Sequence, residues 1–113
     1  MVKTNQETAS AIDYIHKIQE LTDSKLIRCE KWNEGNRFPT FTFSTTGDDD
    51  YDYTMEIYYG GDSGWEVTDR CIGLNYKMLK NGIVPFLQTL NYCQDVIKYE
   101  DIRKEFGIEE EEE

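Results

Sequence analysis

The feature that most constrains the fold is a strict alternation of side-chain character in the middle of the chain. From position 51 to position 59, every odd position carries an apolar or aromatic residue, and the even positions are polar or charged except for Tyr58. Successive side chains of a β-strand point to opposite faces, so this period of two predicts a strand with one buried and one solvated face. Half-buried strands are typical of antiparallel sheets, which are covered on one side only.

Strand signals on both sides of this segment extend the predicted sheet. Residues 26–32 and 38–43 predict two strands around a turn-rich segment, and residues 65–69 predict a short fourth strand after a glycine-rich one. Pro39 stands near the start of the second strand, where the missing N–H suggests an edge or strand-entry position. Because short turns join consecutive strands, the predicted sheet is a meander of three or four strands.

Helical patterns lie before and after the strands. Thr4 and Glu7 have the spacing of a capping box, and apolar residues follow at helical spacing, which predicts a first helix over about residues 5–21. Later, a short helix is predicted to stop at Asn81-Gly82, and a longer one to begin with Pro85 in its first turn. The predicted fold class is α+β: an N-terminal helix, a three- to four-stranded antiparallel meander sheet, and two to three C-terminal helices.

The length and the C-terminal composition predict how the chain is divided. A chain of 113 residues has room for one hydrophobic core, so we expect a single α+β domain over residues 1–108. Residues 99–106 predict either a continuation of the preceding helix or a separate final helix, stopped by Gly107. Residues 109–113 are five consecutive glutamates, and such a run of like charges is predicted to be a disordered acidic tail.

The shortness of the apolar runs and the spacing of the cysteines indicate the cellular compartment. No apolar stretch approaches the roughly 20 residues of a membrane-spanning helix, and no apolar segment typical of a signal peptide follows the N-terminus. The three cysteines, Cys29, Cys71 and Cys93, are widely spaced and include no C-x-x-C pair. We therefore expect reduced thiols in a cytoplasmic protein, without a disulfide framework or a zinc site.

Charge is the most informative functional feature. The net charge is −11, which disfavours direct binding to nucleic acids or anionic membranes and favours a basic protein partner. Residues 47–69 hold eight carboxylates and no Lys or Arg, with tyrosines between them. Tyrosine is enriched in protein interfaces, so we prefer a partner-binding face to a merely solvated one. The predicted partner-binding residues are Asp48, Asp49, Asp50, Asp52, Glu56, Tyr58, Asp62, Glu66 and Asp69.

Three patterns resemble catalytic or metal sites, but each lacks a feature that such a site requires. Segment 61–64 resembles the loop around a serine-protease nucleophile, but it covers four residues and the chain is too short for that fold. Segment 48–59 starts like a calcium-binding EF-hand loop, but positions six and twelve are tyrosines. His16, the single histidine, lies beside an apolar helical stripe and is better explained as a surface or partly buried residue than as a general base. We predict no enzymatic activity, no metal and no cofactor.

The helix–sheet–helix layout and the acidic segment 48–69 together resemble some phage-encoded anti-CRISPR proteins. That resemblance implies a non-enzymatic inhibitor that occupies the basic nucleic-acid-binding groove of a protein such as a CRISPR effector nuclease. The alternative is an immunity protein that neutralises a cognate basic toxin, which requires the same charge and size. The sequence alone leaves both open, and it leaves the oligomeric state open as well.

Overall fold

The predicted α+β layout is confirmed by the structure. This computed structural model describes residues 5–31, 39–46, 52–60, 64–70, 72–93 and 96–108. The predicted acidic tail, 109–113, lies outside the described residues. The elements follow in the order α1 (Gln6–Thr22), β1 (Lys25–Lys31), β2 (Pro39–Thr46), β3 (Asp52–Tyr59), β4 (Trp65–Arg70), α2 (Tyr76–Met78), a π turn (Leu79–Ile83), α3 (Val84–Cys93) and α4 (Tyr99–Glu105).

The sheet is the predicted antiparallel meander with four strands in the order β1-β2-β3-β4. The turn-rich segment between the first two strands lies outside the described residues. Pro39 is the first residue of β2, which confirms the strand-entry position. The edge alternative is wrong, because β2 lies between β1 and β3.

One face of the sheet is covered by the helices and forms the core. The alternation in β3 is confirmed, since Met55 and Ile57 are fully buried against the helices. Phe41 and Phe43 lie beside them on β2 and are also fully buried. Phe41 packs edge-on against Phe86 of α3, with 5.2 Å between the ring centroids. The buried core residues are Ala11, Ile15, Ile18, Leu26, Cys29, Phe41, Phe43, Met55, Ile57, Trp65, Ile83, Phe86, Leu90, Ile97 and Ile102.

The first helix begins one residue later than the capping-box pattern predicts. Asn5 is the N-cap, and its side-chain oxygen accepts a hydrogen bond from the backbone N–H of Thr8 at 2.7 Å. The cap predicted at Thr4 is therefore wrong. Asparagine satisfies a free N–H of the first turn as well as threonine does. The Asn5 side chain also donates to the Val96 carbonyl at 2.7 Å, which ties this helix start to the C-terminal part of the chain.

The helix stop predicted at Asn81-Gly82 is also wrong. Helical structure continues from α2 through the π turn into α3, and the N–H of Val84 bonds to the carbonyl of Leu79, five residues back. Pro85 has no N–H, so the normal i to i−4 ladder is interrupted there in any case. Gly82 is buried against α1, and a Cβ at this position would lie 2.9 Å from Cδ1 of Leu21. The glycine thus permits two helices to approach closely, whereas its usual role after a helix is to end it.

The final helix, α4, is a separate element. Ile97 is buried and follows the end of α3 at Cys93. Gly107 has a φ of 68°, in the left-handed region, and so terminates α4 as predicted. Arg103 of α4 donates to the carbonyl of Cys29 on β1 at 3.1 Å, which fixes the helix against the edge of the sheet.

Candidate functional site

The face of the sheet opposite the core is the candidate site, and we call it the open face. Its residues follow from strand alternation, and the register pairs them with one another across all four strands. Arg28 lies opposite Thr42, Thr42 opposite Glu56, and Glu56 opposite Thr68. The described side chains of the open face are Lys25, Arg28, Thr40, Thr42, Ser44, Thr54, Glu56, Tyr58, Glu66 and Thr68.

Three of the predicted partner-binding residues are brought together on this face. Tyr58 of β3 lies directly opposite Glu66 of β4, and Glu56 is the diagonal neighbour of Glu66. Diagonal neighbours in an antiparallel pair are about 7–8 Å apart, so both carboxylates can reach one partner surface beside the tyrosine ring. All three side chains are partly exposed. This arrangement gives the open face an acidic half with an aromatic residue within it.

The other predicted residues are distributed differently. Asp52 is on β3, where its backbone pairs with Thr46, and its side chain is not among those described. Asp48, Asp49, Asp50 and Asp62 lie outside the described residues.

Asp69 lies on the opposite side of the sheet from Glu56 and Glu66. It pairs with the buried Met55, and its carboxylate turns back to the chain that follows β4. One oxygen accepts from the N–H of Ile72 at 2.7 Å, and the other accepts from Gly73 at 3.1 Å and Leu74 at 3.0 Å. This carboxylate therefore supports the connection between β4 and α2.

Segment 47–69 contains no Lys or Arg, but the fold places basic residues from another strand on the same face as its carboxylates. The register brings Lys25 and Arg28 of β1 onto the same face as Glu56 and Glu66. Strands in a sheet are about 4.8 Å apart, so β1 lies roughly 10 Å from β3, close to the screening length at physiological salt. Among the described side chains of the open face, the cations lie on β1, which we call the basic edge, and the carboxylates lie on β3 and β4 in the acidic half. Such a division lowers the repulsion expected from sequence counting and gives a docking partner a preferred orientation.

The centre of the open face consists of hydroxyl side chains, which the sequence prediction missed. Thr40 and Thr42 of β2 are 7% and 9% exposed, although they face away from the core. In the register Thr42 lies between Arg28 on β1 and Glu56 on β3. The signal was present in the sequence, because Thr40, Thr42 and Ser44 alternate with Phe41 and Phe43.

The hairpin between β3 and β4 holds the acidic half in place. The N–H of Gly60 donates to the carbonyl of Gly64 at 2.7 Å. Tyr59 and Trp65 pack edge-on next to this closure, with ring centroids 5.6 Å apart. The carboxylate of Glu66 lies over Gly60, where a Cβ would clash with one of its oxygens. A side chain at position 60 would therefore displace the Glu66 carboxylate.

The single histidine links two helices. His16 is a surface residue, as predicted, with its side chain half exposed and its Nε2 3.1 Å from a carboxylate oxygen of Glu105. Its ring packs on Phe106 with 4.6 Å between centroids, so it joins α1 to α4. Within the described ranges, no group of three His, Cys, Asp or Glu side chains could hold a metal ion. No helix in that part of the chain is long and apolar enough to cross a membrane.

No protein-family model matches the chain, and no curated protein or solved structure matches it either.

Proposed function

We propose that the chain is a cytoplasmic, non-enzymatic protein that binds a basic, nucleic-acid-binding protein and inhibits it by occupying its basic groove. The observation that carries this proposal is the acidic half of the open face, where Glu56, Tyr58 and Glu66 lie together on two adjacent strands. The buried residues of the described helices cluster with the other face of the sheet, and the whole chain carries a net charge of −11. A groove that holds phosphates presents cations, and this surface offers carboxylates to them.

The rigidity of the site supports the same function. The backbone positions of residues on paired strands are held at fixed spacing, so a partner does not have to order flexible loops in order to bind their side chains. Long-range attraction between opposite charges accelerates association, while Tyr58 supplies apolar contact that slows dissociation. The basic edge formed by Lys25 and Arg28 repels a cationic groove, and it therefore directs the groove toward β3 and β4.

Charge reversal on the open face tests the proposal. The test variant is Glu56→Lys with Glu66→Lys, and the matched control is Asp13→Lys with Glu20→Lys on the exposed side of α1. Both variants change the net charge by the same amount, and neither alters a core residue. Wild-type protein is immobilised and used to capture partners from a host lysate, which are identified by mass spectrometry. Affinity for the captured partner is then measured by surface plasmon resonance at two salt concentrations.

We expect the sheet variant to bind about 100-fold more weakly and the helix control to change far less, because only the sheet carboxylates lie near partner cations. If the helix variant lost the captured partner and the sheet variant did not, the open face would not be the binding site. If the captured partner is a CRISPR effector or another nuclease, the result supports an inhibitory function. If it is a toxin encoded next to this chain's gene, the chain is its immunity protein.

A further inference from the structure

The two edges of the sheet differ in how the helices cover them. The sheet ends at β1 on one side and at β4 on the other. On β1, the side chain of Gln19 accepts from the N–H of Leu26 at 2.7 Å. On the same strand, Arg103 donates to the carbonyl of Cys29 at 3.1 Å. Helices α1 and α4 thus satisfy main-chain groups of β1, which opposes the pairing of another strand there.

The strand register determines which main-chain groups of β4 point outward. The N–H of Gly60 donates to the carbonyl of Gly64 at 2.7 Å, so these two residues form a hydrogen-bonded pair. Hydrogen-bonded and non-hydrogen-bonded pairs alternate along an antiparallel ladder, and every second residue counted from Gly64 therefore bonds to β3. The N–H and C=O groups that point away from β3 are those of Trp65, Val67 and Asp69.

Val67 is at the centre of this outer edge of β4. Within the described part of the chain, no hydrogen bond from outside the sheet reaches the main chain of Val67. Main-chain groups without a partner face solvent, because buried ones are almost always paired. The Val67 side chain is partly exposed and packs against the core. Since β4 also contains no proline, its outer edge is a template onto which another strand can add.

The charge beside this edge selects the kind of strand. Glu66 lies on the open face of β4, with Glu56 as its diagonal neighbour on β3. A strand added to β4 places one of its side chains directly opposite Glu66, with about 5 Å between the Cβ atoms. A lysine or arginine there forms an opposite-charge pair, whereas an acidic residue is repelled. A second copy of this chain, with its net charge of −11, is therefore a poor occupant of the edge.

We propose that the outer edge of β4 binds an extended segment of the basic partner as an additional antiparallel strand, in which basic residues alternate with apolar ones. The apolar residues lie on the core side, where one of them exchanges main-chain hydrogen bonds with Val67. The basic residues lie on the open face, opposite Glu66 and Thr68. This inference rests on the proposed function for the charge of the partner, and it adds the way in which the partner is bound.

Hydrogen exchange of the full chain, measured by NMR, tests the edge directly. The probe is a short synthetic peptide of alternating lysine and valine with both ends blocked. In the free protein, the amides of Glu66 and Thr68 should exchange slowly because they bond to β3, whereas the Val67 amide should exchange quickly. Peptide at about ten times its dissociation constant should slow the exchange of Val67 about tenfold.

Two outcomes of this experiment would overturn the proposal. Slow exchange of Val67 in the free protein would show that the edge is already occupied, either by this chain or by a second copy. Peptide at about 1 mM that left the exchange of Val67 unchanged would show that the edge does not accept a basic strand.

Methylation of the peptide's main-chain nitrogens separates strand addition from simple charge attraction. In the antiparallel arrangement, the valine N–H groups of the peptide point to β4 and the lysine N–H groups point to solvent. The peptide methylated at its valine nitrogens should therefore bind at least about tenfold more weakly than the one methylated at its lysine nitrogens. The two peptides have the same charge and composition, so equal binding would refute strand addition.

Val67→Pro is the corresponding change in the protein. It removes the outward N–H without removing a bond to β3, and edge strands tolerate proline at such a position. It should weaken peptide binding at least about tenfold, whereas the control Val67→Thr keeps the N–H and should bind within about threefold of wild type. Equal binding by the two folded variants would contradict the proposal. Should Val67→Pro fail to fold, the exchange measurement and the methylated peptides still decide.

The synthetic probe keeps this test separate from that of the proposed function. If Glu56→Lys with Glu66→Lys loses the captured partner while the peptide leaves Val67 unprotected, the proposed function stands and strand addition fails. If the peptide protects Val67 but the captured partner binds that double variant like wild type, strand addition stands and the acidic half is not the site for that partner.

Discussion

Replacement of Asp69 by asparagine should destabilise the fold even though it removes a negative charge from a strongly acidic chain. The carboxylate of Asp69 accepts hydrogen bonds from the N–H groups of Ile72, Gly73 and Leu74, using both oxygens. Asparagine has one acceptor oxygen and one donor NH₂ group, so it can serve one side of this arrangement only. At least one backbone N–H group then faces a donor.

The expected cost follows from the exposure of these N–H groups. The bond to Gly73 is exposed, so water can replace it, whereas the bonds to Ile72 and Leu74 are partly buried. A buried donor left without its acceptor costs about 1–3 kcal/mol. We therefore expect Asp69→Asn to lower the free energy of unfolding by about 1–2 kcal/mol and the melting temperature by about 5–10 °C. Asp69→Ala, which leaves no acceptor, should cost about 2–3 kcal/mol.

Urea denaturation followed by circular dichroism measures the effect. The control is Glu66→Gln on the same strand, which removes the same charge from the open face and should change stability by less than about 0.5 kcal/mol. If relief of charge repulsion dominated, both variants would be stabilised. An Asp69→Asn variant as stable as wild type would refute the assignment of Asp69 to the β4–α2 connection.

Two further predictions concern the edge strand β1 and its cysteine. The N–H of Leu26 donates to the side chain of Gln19 at 2.7 Å, and the carbonyl of Cys29 accepts from Arg103 at 3.1 Å. Gln19→Ala and Arg103→Ala should therefore each cost about 1 kcal/mol in urea denaturation and promote aggregation on heating, because they uncover the edge of the sheet. Unchanged stability and solubility would show that these contacts do not protect β1. Cys29 is fully buried, so iodoacetamide should modify its thiol in urea but not in the native protein; rapid native modification, measured by mass spectrometry, would contradict this burial.

Local patterns were sufficient for most of the secondary structure. The alternation in residues 51–59 identified β3 and its buried face, and Met55 and Ile57 are indeed core residues. The predicted helix stop at Asn81-Gly82 was wrong because glycine occurs both after the ends of helices and where two helices approach closely. Gly82 is common after a helix, yet here it permits close contact with Ile18 and Leu21 of α1. That contact joins residues about 60 positions apart in the chain, and no local pattern contains it.

The candidate site shows the same limit. The sequence placed Glu56, Tyr58, Glu66 and Asp69 in one acidic segment. Strand alternation puts Asp69 on the opposite face from Glu66, three residues earlier, but only the structure shows that its carboxylate accepts from the N–H groups of Ile72 and Leu74 after β4.

The sequence by itself determined the α+β class, the meander and the period-two face of β3, because each depends on the spacing of side chains along one segment. Only the tertiary structure decided that Lys25 and Arg28 share a face with Glu56 and Glu66, that Asp69 supports a connection, and that α2 and α3 are joined into one continuous helix. The physical reason is that these properties arise from strand register and helix contact between distant segments. Charge counts along the chain do not contain that information.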